Sequence, residues 1–443
     1  MTSRSSARVV CVDFGSTFTK AALVDLDAGA LVATASCPTT VHTDVMDGYD
    51  ECRAALSVAS SVPGVACSSA GGGLRLGVVG YERAITAEAG SRVALSAGAR
   101  VVHVASDRLD ETAVAALLAD QPDVVLLVGG TDGGNAEVLL HNARRLSRSA
   151  LKVPVVLAGN VDVRDEVVDV LRRRSKRVVA TDNVLPEIGR LDPGPARAAI
   201  RQVFIEHVIG GKHLSRRPEF AAMVKAATPD AVLAGVELLA DGAGGVEGVG
   251  DVLVVDVGGA TTDVYSVVTP IGEDAELRRN AVEVMWRSRT VEGDLGMRSN
   301  ATGIVASAAS ERLVDDAEVA ELEPAARRLV HDPSYLPEND AEREVDARLA
   351  ELAVTVALRR HGRGGKNLRE VQLVVGSGGV LRHADLALRS RILGSATGDL
   401  AGGWPVPEKA RTTVDEQYVL AAAGLLVDEH PEVAARLLRS CLA

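Results

Sequence analysis

The sequence predicts an α/β protein of two related lobes, with an additional α/β subdomain inserted in the first half. Three observations carry this. The cassettes Asp13-Phe14-Gly15-Ser16-Thr17-Phe18-Thr19-Lys20 and Asp256-Val257-Gly258-Gly259-Ala260-Thr261-Thr262-Asp263 each follow a strand-like apolar run, Val9–Val12 and Val252–Val255. A third apolar run, Val371–Val375, enters the glycine cluster Gly376-Ser377-Gly378-Gly379. Between the cassettes, 243 residues apart by their leading aspartates, the chain alternates strand-like and helix-like segments from about 74 to 185, the pattern of a parallel sheet covered by helices.

In the first lobe, taken as residues 8–75, Val9–Val12 leads through the glycine turn to Lys20–Val24, a hairpin, and Ala30–Thr34 is a third strand. The stretch Ala66–Gly73 then breaks the pattern. The inserted subdomain, 76–190, contains the helix Glu82–Ala97, the strand Val101–Val104, the helix Glu111–Ala119 and the near-continuous apolar strand Asp123–Val128, as expected where both sheet faces are covered. That strand ends in Gly129-Gly130-Thr131-Asp132-Gly133-Gly134-Asn135. The loop is either a second ligand or partner site at a helix N-terminus, or a tight βα turn with Asp132 or Asn135 as N-cap. Residues 191–250 are a helical remainder of the first lobe, with breaks near Gly210-Gly211 and Thr228-Pro229. The second lobe is 251–443. It contains surface helices over about 306–357, a flexible loop or linker His361–Lys366, and a capping box Thr413-Val414-Asp415-Glu416 opening a helix through Leu426.

Glycine permits the positive φ of a tight turn and lets backbone N–H groups approach phosphate oxygens. Serine and threonine hydroxyls add donors, and an aspartate at each strand end suits Mg2+, which prefers oxygen ligands and keeps several waters. An ordinary hairpin uses the same residue types. Two such cassettes in one chain suggest a nucleotide clamped between two lobes.

Composition narrows the classes. The 443 residues are 47% hydrophobic and 24% charged, those of a globular protein. Aromatic content of 2% and a net charge of −12 oppose stacking on bases and neutralisation of nucleic-acid phosphates, so no nucleic-acid partner is expected. The cysteines, at 11, 37, 52, 67 and 441, are odd in number and show no CxxC spacing; they read as reduced thiols in a cytoplasmic protein. No apolar signal region precedes the first strand and no run reaches bilayer-spanning length, so no membrane association is expected. The basic run Arg172–Arg177 reads as a solvated helix end or a surface for an acidic partner. There is no GxxxxGK[ST], no GxGxxG after the first strand, and no ligand-spaced histidine pair.

The two cassettes and the Val371–Val380 segment, in that order, resemble the phosphate-1, phosphate-2 and adenosine motifs of the superfamily that includes actin, the heat-shock chaperone ATPases and the sugar kinases. With the Gly129–Asn135 loop and Thr290-Val291-Glu292-Gly293-Asp294-Leu295-Gly296, the chain looks like the MutL family associated with glutamate mutase, which is distinct from the mismatch-repair protein of that name. The resemblance implies a two-lobed actin-like ATPase fold with ribonuclease H-like lobes, and ATP and Mg2+ as cofactors. It implies that Asp13 and Asp256 organise Mg2+ and that Gly15, Ser16, Thr17, Lys20, Gly258, Gly259, Thr261 and Thr262 bind phosphates. Gly376, Gly378 and Gly379 would bind adenosine, and Asp263 would orient the hairpin or the attacking water, making it catalytic with Asp13 and Asp256. Glu292 and Asp294 are not assigned as a base. The implied role is reactivation of an adenosylcobalamin-dependent aminomutase, with that mutase as partner; a homodimer is one option for self-association, the oligomeric state being left open by the sequence. A small-molecule kinase, an ATP-dependent hydrolase resembling hydantoinase, and a nucleotide-gated scaffold without turnover are the alternatives.

Overall fold

The computed structural model describes residues 7–82, 86–209, 211, 213–269, 287–363, 367–400 and 403–443. The chain divides into two compact units, one holding residues 31–234 and the N-terminal segment, the other 235–269 and 287–443 with residues 28–30.

In the first unit, β1 (Arg8–Phe14) turns into β2 (Phe18–Asp25), then come β3 (Ala30–Pro38) and β4 (Gly64–Ser68). β1 is antiparallel to β2 and parallel to β4. Val9–Phe14 is buried throughout, which is why the sequence reads there as an unbroken apolar run. Asp44 caps the helix Val45–Ala55 by accepting the Met46 N–H, and the Phe14 ring meets Phe220 edge-on at 5.2 Å. The chain then forms a separate five-stranded sheet from β5 (Leu74–Val79), β6 (Ala99–Ala105), β7 (Val124–Leu127), β8 (Val155–Leu157) and β9 (Val178–Ala180), ordered β6-β5-β7-β8-β9 with every pair parallel. This is the doubly wound 2-1-3-4-5 order. The chain returns to the first sheet with β10 (Val224–Ala227), parallel to β4, giving the order β10-β4-β1-β2-β3.

The second unit opens with a two-residue hairpin, β11 (Gly242–Ala243) and β12 (Val246–Glu247). It continues with β13 (Val252–Val257), β14 (Thr262–Val267), β15 (Arg287–Glu292), β16 (Leu373–Ser377) and β17 (Arg411–Val414) in the order β15-β14-β13-β16-β17. Here too the first strand is antiparallel to the second and parallel to the fourth. Both units therefore carry the 3-2-1-4-5 sheet of a ribonuclease H-like lobe, and the protein has the two-lobed actin-like fold. Where the first unit inserts a whole α/β sheet between its fourth and fifth strands, the second has, among the described residues, the helices Gly379–His383 and Leu386–Gly398.

Several sequence expectations are corrected. Ala66–Ser68 does not break the first lobe but lies in β4, a central strand; alanine, cysteine and serine give it little strand signature. Within the expected helical stretch 196–240, Val224–Ala227 is the fifth strand, and Thr228-Pro229 opens the helix Thr228–Asp241 rather than breaking one; proline fits the first helical turn. Residues 235–250 pack with the second unit. The helix expected from Glu82 is regular over Glu88–Ser96. The helix Asp340–Arg363 is no surface helix, since Leu349, Leu352, Val354, Val356 and Leu358 form core. It also runs into the expected linker as far as Arg363, burying His361 completely between the hydroxyls of Ser266 and Thr290 at 2.8 and 2.9 Å. Gly210 and residues 364–366 lie outside the described residues. The capping box fails as well: Thr413 and Val414 are in β17, and Asp415 accepts from the N–H groups of Val419 and Leu420 to start the helix Val419–Leu426. Among the described residues no helix is long and apolar enough to cross a membrane.

Candidate functional site

The two cassettes are hairpin tips with the same wiring. The Gly15 N–H donates to the Phe18 carbonyl at 3.1 Å, and the Gly258 N–H to the Thr261 carbonyl at 3.0 Å. A Cβ on Gly15 would lie 2.5 Å from that carbonyl oxygen, and one on Gly258 2.8 Å from its counterpart, so a side chain at either position forces the turn open. In the strand register Asp13 faces Lys20, and Asp256 faces Asp263. The hairpins thus repeat residue for residue, with the charge reversed at the last position.

In the first hairpin, Asp13 is buried. Its Oδ1 accepts from the Thr228 hydroxyl at 2.6 Å and its Oδ2 faces Lys20 Nζ at 3.6 Å. Cys67, opposite Asp13 in β4, has its thiol pushed well up by burial and then by the Asp13 charge. Ser16 and Thr17 are exposed. Thr39 braces the tip from behind: its N–H donates to the Thr17 carbonyl at 2.8 Å and its hydroxyl to the Gly15 carbonyl at 2.9 Å. The structure thus presents Ser16 and Thr17 outward and draws Lys20 to Asp13.

The second hairpin is braced by the residues that follow Thr290–Gly296. The N–H groups of Met297 and Arg298 donate to the carbonyls of Gly258 and Gly259 at 3.0 and 2.8 Å, and a Cβ on Gly296 would lie 2.3 Å from the Ala260 carbonyl oxygen. The Thr262 hydroxyl donates to the Leu295 carbonyl at 2.6 Å and the residue is fully buried. The Thr261 hydroxyl donates to Asp263 Oδ2 at 2.7 Å. Each hydroxyl has one proton, so neither threonine serves here as the open side-chain donor that the sequence suggested. Around Gly259, by contrast, an added Cβ would meet only ordinary contacts, the nearest at 3.7 Å. Asp263 is also engaged on its other oxygen, which accepts from Arg289 Nε and Nη2 at 2.9 and 2.5 Å. Asp263 therefore locks hairpin to sheet; it does not face an open position. Asp256, half-buried at the end of β13, lies beside Ser377 in the register.

The third glycine cluster divides by role. A Cβ on Gly376 would meet the Leu381 and Leu393 side chains at 2.7 and 2.8 Å, so this glycine serves packing. Gly378 has φ +100°, and a Cβ there would lie 2.1 Å from the Val257 carbonyl oxygen. Gly379 has nothing within 4 Å of an added Cβ. Beyond it, the Arg382 guanidinium stacks 4.4 Å from the Tyr418 ring centre.

Two flanking segments prove structural. Arg360 bridges Glu292 at 2.8 Å and Asp294 at 2.7 and 2.9 Å. Burial pushes the Glu292 carboxyl up against the pull of Arg360, while the Arg360 hydrogen bond holds Asp294 below its usual range. In the Gly129–Asn135 loop, Asp132 accepts from Val161 N–H and Asn183 Nδ2, the Gly133 N–H donates to Asp162, Asn160 Nδ2 donates to the Gly134 carbonyl, and Asn135 accepts from Glu137 N–H. The turn reading accounts for the loop, with Asn135 supplying the Asx contact ahead of the helix Glu137–Arg148.

The family description "MutL protein" matches residues 9–442. "Protein MutL" of Clostridium tetanomorphum is 34% identical, with 97% of this chain and 98% of that protein covered. The chain belongs to the MutL family. Among solved structures, this MutL-family chain is similar to an activator of 2-hydroxyisocaproyl-CoA dehydratase from Clostridium difficile with bound ADPNP, at 11% identity and TM-score 0.30, covering 96% of this chain and 95% of that one. It is also similar to xylulose kinase from Bifidobacterium adolescentis, at 11% identity and TM-score 0.34, covering 99% and 94%. The fold of the MutL-family chain follows from its strand orders, not from these likenesses.

Sequence reasoning missed Thr228, Arg289 and Arg360. Thr228 closes on Asp13 from 215 residues away, and its only local signal is a threonine before a helix-opening proline. If Asp13 organises Mg2+ for ATP turnover, Thr228→Val is expected to raise the Mg2+ concentration for half-maximal turnover about tenfold, as loss of an outer-shell partner does, and to cost about 1–3 kcal/mol of stability because the buried Asp13 loses its hydroxyl partner. Turnover titrated with Mg2+ checks this; an unchanged half-saturation would separate Thr228 from any role of Asp13.

Proposed function

We propose that this chain is a Mg2+-dependent ATP-binding and ATP-hydrolysing accessory protein that reactivates an adenosylcobalamin-dependent aminomutase of the glutamate mutase type. The observation that carries the ATP reading is the residue-for-residue repeat of two glycine hairpins, each with a carboxylate at its strand end, on two lobes of one fold. The exposed Ser16 and Thr17 and the backbone around Gly259 are the phosphate-binding groups, and the uncrowded backbone at Gly379 receives the adenosine.

The residues fit Mg2+ in its usual mode of one or two carboxylates plus phosphates and water. Asp13, tied to Thr228 and close to the Lys20 ammonium, suits contact through water. Asp256 is the second carboxylate. When bound, the ion would supply charge neutralisation on the phosphates, which with positioning makes up most of phosphoryl-transfer catalysis. Asp263, held by Arg289, keeps the second hairpin in place. The mutase role rests on membership of the MutL family and on the client that the family resemblance implies.

The test is ATP hydrolysis with Mg2+ by the parent, Asp13→Ala and Asp256→Ala, each with and without a holo-mutase that has been inactivated by turnover. Expected are hydrolysis lost in both variants, stimulation by the mutase, and mutase activity regained only with parent protein and ATP. Hydrolysis indifferent to the mutase but raised by one small acceptor would overturn the accessory reading in favour of a small-molecule kinase.

A further inference from the structure

Behind the first hairpin two thiols touch. Cys37, next to last in β3, and Cys52, in the helix Val45–Ala55, have their Sγ atoms 3.4 Å apart. Cys37 Sγ also contacts the Gly48 carbonyl at 3.1 Å, and Cys52 Sγ lies 3.7 Å from the Thr19 carbonyl. Two residues beyond Cys37 is Thr39, which braces the hairpin tip through Thr17 and Gly15. The pair therefore sits where strand, helix and hairpin brace are joined. Two buried cysteines can pack simply as small apolar side chains, but that role does not require their sulfurs to face each other.

We propose that Cys37 and Cys52 form an oxidative modification site, a dithiol that a small peroxide converts to a disulfide pinning β3 to the helix beside the first hairpin. The two residues are 4% and 1% exposed, which favours an oxidant as small as hydrogen peroxide over a bulky one. The Cys37 sulfur, the more accessible, attacks the peroxide; the O–O bond breaks, giving a sulfenic acid and water. The Cys52 sulfur then attacks the sulfenic sulfur, its proton leaves with the hydroxyl as a second water, and the S–S bond forms. Two thiols lose two electrons in all, which the peroxide accepts. The sulfurs need to close from 3.4 Å to about 2.05 Å, within the play of two side-chain rotamers. Burial pushes both thiols up, Cys52 to about 12, so the reaction is slow beside that of an activated cysteine. It is a response to sustained oxidation.

The test uses the full-length protein, treated with hydrogen peroxide while native, then blocked with iodoacetamide under denaturing conditions and digested. The expected result is a peptide pair joined through Cys37 and Cys52, reversed by dithiothreitol and lost in both Cys37→Ser and Cys52→Ser. The oxidised protein should melt about 5 °C higher, because a cross-link closing a short loop restricts the unfolded chain. A pair that forms only after denaturation, or that lowers the melting temperature, would overturn the proposal. Neither readout involves nucleotide, so the outcome is independent of the ATP reading.

Discussion

Asp263→Ala is expected to unfold the second unit far more readily than Asp256→Asn, by about 3–5 kcal/mol, although both residues were candidate catalytic carboxylates in the same cassette. Asp263 and Arg289 form a buried pair whose side chains are 10% and 5% exposed, and removing one partner leaves an uncompensated buried charge. Arg289 also lies over the Tyr265 ring, 5.8 Å from its centre, so the loss reaches the core beneath the hairpin. Arg289→Met should cost a similar amount. The double variant Asp263→Ala/Arg289→Met should be less unstable than the two single losses added together, since no lone charge remains. Urea unfolding of the four variants beside the parent measures this. If Asp263→Ala unfolds with the parent's midpoint yet loses ATP turnover, Asp263 acts on the reaction and not on the fold.

What was legible in the sequence was local. A carboxylate, glycines and hydroxyls directly after an apolar run mark a tight hairpin because every residue that makes the turn lies within eight positions. The parallel sheet of the insertion was legible for a related reason: its central strands Val124–Leu127 and Val155–Leu157 are buried throughout, and so they read as pure apolar stretches. β4 and β10 escaped because they are short and rich in small residues, and their place in the sheet is set by pairing, β4 with β1 and β10 with β4, not by their own preference. Thr262 looked like a phosphate donor from its position, and only the Leu295 carbonyl, 33 residues on, commits its proton elsewhere. The same holds for Arg360, which meets Glu292 from 68 residues away. Long-range polar pairing is what decides between a site residue and a strut, and a single sequence does not encode it visibly.

Two neighbouring glycines separate fold from ligand in the adenosine segment. Gly378→Ala places a Cβ 2.1 Å from the Val257 carbonyl oxygen at φ +100°, a conformation that L side chains adopt only with strain. The clash is with the backbone at the very end of β13, so relief means parting β13 from β16, which are paired in parallel up to Asp256 and Ser377. Gly378→Ala should therefore destabilise the second unit by about 3 kcal/mol or more. Gly379→Ala meets nothing within 4 Å and begins a helix, where alanine is preferred to glycine; stability should hold or rise slightly. If the backbone at Gly379 passes against adenosine, the added methyl occupies ligand space, and the affinity for ATP should fall at least tenfold with the melting temperature of the free protein unchanged. Calorimetric titration with ATP beside thermal melts of both variants decides it. Unchanged ATP affinity in Gly379→Ala would remove this turn from the nucleotide site and leave the phosphate hairpins as the only nucleotide-binding elements proposed for the chain.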